Sequence, residues 1–238
     1  MTALADAFGL DDGTLAVVGA GGKKTTLYAL ADRLDRAVVT ATVRIPIFDD
    51  EVAAVRVTGD PAATVRDAPT WPLGLVPERE REDRYLGYDP AMVDAVAAAH
   101  DGPVLVKADG ARTRLLKAPD EREPQLPAAD VVVPIASAKV VGRPLDEAAV
   151  HRPERVAAVT GLDRGDEIRP ADVASVLASD RGGLKGVGDA RAVPLVNMVD
   201  DGALASTARE IARGVHDRAD VDRVVLARMD VPEVVATV

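Results

Sequence analysis

Short apolar runs recur along the chain at residues 15–18, 38–39, 104–106, 131–133, 193–196 and 224–226. They are rich in valine and do not alternate with polar residues, which is the pattern of strands covered on both faces. Between them the apolar positions take helical spacing. Leu27, Leu30, Ala31 and Leu34 follow an i, i+3, i+4, i+7 stripe, and Leu204, Ala208, Ile211 and Val215 form another. Val173, Val176 and Leu177 stand behind Pro170, a residue suited to a first helical turn. Strands alternating with helices predict an α/β fold with a doubly wound, mostly parallel sheet and right-handed crossovers.

Residues 45–88 break this alternation. They carry Pro46, Pro61, Pro72 and Pro77 and a charged run at 78–84. The segment reads as an irregular insertion after the second strand, with a short strand near 55–57 and a mobile loop after Pro77. The charged run is either a solvated loop or helix start, or a lid over the site. The expected organisation is a single domain, 1–238, containing this segment.

The first apolar run leads into Gly19-Ala20-Gly21-Gly22-Lys23-Lys24-Thr25-Thr26, which opens the first amphipathic stripe. A glycine-rich turn between a buried strand and a helix N-terminus suits phosphate. Glycines let the backbone N–H groups curl inward, and the helix end adds positive partial charge. A lysine supplies a point charge, and a threonine hydroxyl can join a Mg²⁺ shell. The spacing departs from G-x-x-x-x-G-K-[ST], so either Lys23 or Lys24 can be the phosphate lysine. A tight turn with glycines for sterics alone is the competing reading. Two adjacent cations at a helix start argue against it, because they oppose the macrodipole unless an anion is present.

Other candidates sit at strand ends. The run 104–106 ends in Lys107-Ala108-Asp109-Gly110, where phosphate-loop enzymes place a Mg²⁺-holding carboxylate. Thr40 ends the second run and can touch metal, or simply favour a strand. Asn197-Met198-Val199-Asp200 stands where N-K-x-D reads guanine in GTP-binding proteins, with Met198 in place of the lysine, so ATP and GTP both stay open. Asp200 as a helix cap is the alternative. His151 and Arg152, before Pro153, suit an anionic substrate.

Composition narrows the partners. Lysine and arginine number 29 against 39 acidic residues, for a formal charge of −10. Such a surface disfavours nucleic acid. Only six basic residues are lysine, a balance that suits solubility at high salt or follows from a GC-rich genome. With no cysteine, a disulfide framework, an iron–sulfur cluster and a thiolate zinc site are excluded. No apolar run reaches the roughly 18–20 residues that span a bilayer. The first ten residues lack the pattern of a signal peptide, so the expectation is a cytoplasmic protein without membrane partners.

Four motifs occur in order: Gly19-Ala20-Gly21-Gly22-Lys23, Ala108-Asp109-Gly110-Ala111-Arg112, Leu116-Lys117-Ala118-Pro119 followed by Glu123-Pro124, and His151-Arg152-Pro153-Glu154. Together they resemble the selenium-dependent molybdenum hydroxylase accessory proteins, the YqeC family. The resemblance spans nearly the whole chain. It implies a P-loop NTPase-like fold and a role in maturing a molybdenum hydroxylase or its cofactor. The family usually has threonine at position 24 and glutamate at position 107, and both are lysine here.

The leading expectation is therefore a nucleotide-binding accessory protein hydrolysing ATP or GTP with Mg²⁺. Gly19 to Thr26, Thr25 included, hold the nucleotide phosphates, and Asn197 and Asp200 face the base. Thr25, Thr40 and Asp109 hold the metal, and Lys23, Lys24, Asp109 and Arg112 carry the chemistry. Arg112, Lys117, His151 and Arg152 bind substrate. Two alternatives remain: a kinase or nucleotidyl transferase acting on a phosphorylated cofactor precursor, and a non-catalytic carrier of the molybdenum cofactor.

Overall fold

The computed structural model describes residues 3–10 and 12–238. Its centre is a ten-stranded sheet among the described residues. Nine strands form a continuous path: β1 (Thr14–Gly19), β2 (Val38–Ala41), β3 (Ala54–Val57), β4 (Leu73–Val76), β5 (Val104–Lys107), β6 (Val131–Ser137), β7 (Leu195–Asn197), β8 (Val225–Arg228) and β9 (Glu233–Thr237). The order across the sheet is β9-β8-β7-β6-β1-β5-β2-β4-β3, and Arg191–Ala192 pairs beside β6. Every pairing from β8 to β3 is parallel, and only β9 runs antiparallel.

Burial explains why the strands read as continuous apolar runs. Leu15 and Val17 of β1 enter one core with Leu27 and Leu30, while Ala16 and Val18 enter another with Val93 and Val96. Helices cover both faces, which removes the polar half of the usual strand alternation. α1 (Ala3–Phe8) and α2 (Lys23–Ala31) cover the first face. The second is covered by α3 (Pro61–Arg66) and α4 (Pro90–Ala98) on one half, and by α5 (Pro153–Thr160), α6 (Pro170–Leu177) and α7 (Gly202–His216) on the other. Proline opens α3, α4, α5 and α6, where its missing N–H would have had no helical partner. α7 is capped by the Asp201 carboxylate, which accepts from the Leu204 N–H at 2.8 Å. None of these helices is long and apolar enough to cross a membrane.

Segment 45–88 is more regular than its prolines suggest. It supplies β3 and β4, which extend the main sheet to its edge. The charged run 78–84 is neither a loop nor a helix start. Arg79–Arg81 and Arg84–Tyr85 pair antiparallel and join Ile45–Pro46 in a small three-stranded sheet. Tyr85 anchors it by packing edge-on against Phe48 at 5.7 Å and donating to the Asp49 carboxylate at 2.8 Å. The charges stay outside, where Glu80 takes a forked pair of bonds from Arg44.

The chain leaves β1 toward β2 on one side and leaves β6 toward β7 on the other. β1 and β6 are neighbours, so a crevice opens between their carboxyl ends. Sheets of this kind place ligands at such a point.

Candidate functional site

The loop after β1 is shaped by its closeness to β6. Gly19 has φ of +86°, and a Cβ there would lie 2.4 Å from the Ile135 carbonyl oxygen. Gly21 has φ of +97°, and a Cβ there would lie 2.6 Å from the Ser137 nitrogen. Both positions need glycine for backbone conformation and for space. Ala20 is buried and donates its N–H to Ile135 at 2.8 Å. Asn197 braces the loop from β7. Its Nδ2 donates to the Gly21 carbonyl at 2.8 Å, and its Oδ1 accepts from the Met229 N–H at 3.1 Å.

Gly22 then caps α2, so Lys23 and Lys24 fall in the first helical turn. The two lysines differ. Lys23 is 6% exposed, donates to the Gly19 carbonyl and lies 2.9 Å from Asp109 Oδ1. Lys24 is half-buried, and its side chain lies outside the ion pairs of this region. Thr25 is exposed. The Thr26 hydroxyl turns back to the Gly22 carbonyl at 3.0 Å.

Asp109 is the hub, only 1% exposed. Its Oδ2 accepts from the Gly19 N–H at 2.9 Å and pairs with Lys117 at 2.9 Å. Oδ1 has the Lys23 ammonium beside it but no well-aligned hydrogen bond. The ion chain continues outward. Lys117 reaches Glu123 at 2.7 Å, Arg152 pairs with that same carboxylate, and Arg152 also meets Asp120 at 2.7 Å. Burial alone would raise the Glu123 carboxyl above the usual range; the Lys117 and Arg152 cations outweigh it and hold it below.

Lys107 stands apart. It is 6% exposed, and its ammonium donates to the Arg44 carbonyl at 2.7 Å, with no carboxylate among the described residues in ion-pair contact. Burial first, then the neighbouring Lys23 charge, lowers it from 10.5 to about 7. Burial likewise lowers Lys23, against the pull of Asp109. The sign for stability follows. Between pH 7 and 10.5 the unfolded chain holds a proton at Lys107 that the folded chain has released, so stability rises with pH across this window. Lys107→Met should raise stability at pH 7 by a few kcal/mol and flatten that slope. Urea denaturation from pH 6 to 10 tests this, and an unchanged slope refutes it.

The remaining sequence candidates are spread around this core. Leu116–Lys117 pairs in parallel with Val150–His151, which brings His151 and Arg152 to the ion chain. Burial lowers the His151 imidazole to about 4, with Arg152 the next contributor, so it is neutral at pH 7. Arg112 is exposed on a turn with φ of +47° and makes no ion pair with Asp109. Asp200 pairs with Lys139, and the Thr40 hydroxyl donates to the Leu75 carbonyl at 2.8 Å. The metal-ligand set expected for Mg²⁺ therefore does not converge. Thr25 points to solvent, Thr40 is engaged across the sheet, and both Asp109 oxygens face ammonium groups. Among the described residues no three His, Asp or Glu side chains are grouped to hold a metal.

Sequence reasoning gave no role to Glu123, Asp120, Ser137 or Lys139. Glu123 had one available signal, since a buried Lys117 needs an acid nearby in the chain. Ser137 ends β6, donates to the Met198 sulfur at 3.0 Å and accepts from the Lys139 N–H at 3.1 Å.

The comparisons with known proteins bear on this same region. Residues 15–154 match the family described as YqeC protein, a span running from β1 through Asp109, Lys117 and Glu123 to the start of α5. The protein YqeC of Escherichia coli (strain K12) is 30% identical over 183 residues, covering 73% of this chain and 70% of that relative. With the ion cluster and the glycine loop inside the matched span, the chain belongs to the YqeC family.

Proposed function

We propose that the protein grips the phosphates of a nucleotide in the loop after β1 and serves as an accessory factor in maturing a selenium-dependent molybdenum hydroxylase. The observation that carries the phosphate reading is the buried cluster against the loop. Lys23 and Lys117 share one carboxylate, and Lys107 adds an amine without a described one, which a bound anion would hold in its charged form. Buried cations in excess are costly unless an anion meets them. The N-terminus of α2 favours the same charge. The maturation role rests on family membership and on the ordered motifs that resemble the accessory proteins.

Because both ends of the Asn197 amide are engaged, this reading rests on phosphates and not on the base. ATP and GTP should then bind within about threefold of each other. Calorimetry at low and high salt tests it on the native protein, Lys23→Ala and Lys24→Ala. The expected result is a loss of about tenfold or more for Lys23→Ala and little change for Lys24→Ala. No binding of either nucleotide at millimolar concentration overturns the nucleotide reading.

A second reading is a carrier that holds the phosphate of the molybdenum cofactor itself. The lysine-capped Asp109 favours it, because a carrier needs no metal-assisted cleavage. Phosphate release separates the two. Turnover of bound nucleotide excludes a pure carrier.

A further inference from the structure

Among the described residues Asp109 is the only carboxylate in ion-pair contact with Lys23, and its other oxygen meets Lys117 and the Gly19 N–H. A divalent cation taken up there would displace ammonium groups from a carboxylate that is 1% exposed. It would also add two positive charges beside Lys107, whose contact is a carbonyl. Mg²⁺ demands near-octahedral oxygen ligands and usually keeps several waters. The hydroxyls that could complete such a shell, on Thr25 and Thr40, lie on the solvent side of α2 and against β4.

Charge balance points the same way. Lys23, Lys117 and Arg152 balance Asp109, Glu123 and Asp120, and Lys107 adds an amine with no described carboxylate partner, which an arriving anion would hold in its charged form. We propose that the site takes a di- or triphosphate as the free anion, with Lys23, Lys107 and Lys117 meeting its charge and no divalent cation bridging it to Asp109. Lys23 is the group that swings to the ligand. Its contact with Oδ1 lacks hydrogen-bond alignment, whereas Oδ2 accepts from the Gly19 N–H, and Lys117 is tethered by hydrogen bonds to the Gly110 carbonyl and Glu123. Asp109 then stays paired with Lys117 and keeps the Gly19 N–H in place.

This inference rests on the phosphate-binding reading above, and one experiment separates their failures. Binding of inorganic pyrophosphate and of ATP is measured by calorimetry on the full chain, once with EDTA and once with excess Mg²⁺. Binding in EDTA at least as tight as in Mg²⁺ is the expected result. Binding that weakens about tenfold or more in EDTA overturns the metal-free proposal and leaves phosphate binding standing. No binding in either condition overturns both. Two variants extend the test. Lys107→Met should weaken binding about tenfold without creating a need for Mg²⁺. Lys107→Glu should abolish binding in EDTA and regain part of it in Mg²⁺. If either variant, folded by circular dichroism, binds pyrophosphate in EDTA as tightly as the native chain, Lys107 has no part in the site and the proposal fails. If neither variant folds, the native EDTA and Mg²⁺ comparison decides alone.

Discussion

Asp109→Ala is expected to destabilise the fold by about 3–5 kcal/mol, the range for removing one partner from a buried ion pair. The argument is local. The substitution leaves the Lys117 ammonium, itself 2% exposed, with only Glu123 as a counter-charge. It leaves Lys23 with only the Gly19 carbonyl, and it strips the acceptor from the Gly19 N–H. Asp109→Asn should cost less, because an amide oxygen can still accept from Gly19 while the charge is lost. Urea denaturation at pH 7 gives the ordering. Pyrophosphate should stabilise the alanine variant more than the native chain, because the anion replaces the missing charge. A loss below about 1 kcal/mol for Asp109→Ala, the value of a surface pair, would show that the hub is hydrated and not buried.

Gly19→Ala should cost about 3 kcal/mol and remove phosphate binding with it. Two penalties combine there. The φ of +86° is strained for an L-residue, and the new methyl would sit 2.4 Å from a backbone oxygen that cannot swing aside. Gly161, at the end of α5, isolates the first penalty. Its φ is +79°, and nothing lies within 4 Å of a Cβ built there. Gly161→Ala should therefore cost only about 1 kcal/mol. Equal losses at the two positions would mean that the loop retreats from β6 without penalty, and the close approach would not define its shape.

The fold was largely legible because a parallel sheet covered on both faces writes itself as unbroken valine-rich runs. β3, half-exposed at the sheet's edge, still showed as the short strand near 55–57. The strands that escaped attention lack that signature: Gly74 interrupts β4, and β9 is an antiparallel edge strand with polar ends. The charged run 78–84 misled for a different reason. A hairpin held by one buried tyrosine and an outer Arg44–Glu80 fork has no apolar periodicity to read. The loop, Lys23, Asp109 and Lys117 could be named from sequence because glycines and strand-end charges mark such places. Their mutual pairing could not, because it depends on β5 lying directly beside β1, which no local pattern encodes. The same holds for Asn197. Its sequence position suggested a base contact, while its neighbours in space are the Gly21 carbonyl and the Met229 N–H.

The placement of the lysines has a consequence for how a ligand arrives. Lys23 and Lys24 follow β1, Lys107 and Lys117 end and follow β5, Lys139 follows β6, and Lys185 donates to the Asp120 carbonyl in the loop beyond Lys117. Five of them, all but Lys185, therefore gather at the carboxyl ends of the central strands in a molecule whose formal charge is −10. A diffusing polyanion meets repulsion from most directions and attraction from this one. On the phosphate-binding reading proposed above, the molecule would act as an electrostatic funnel that orients its ligand before contact. Its capture rate should fall with added salt, as for an attractive encounter, although protein and ligand carry net charges of the same sign.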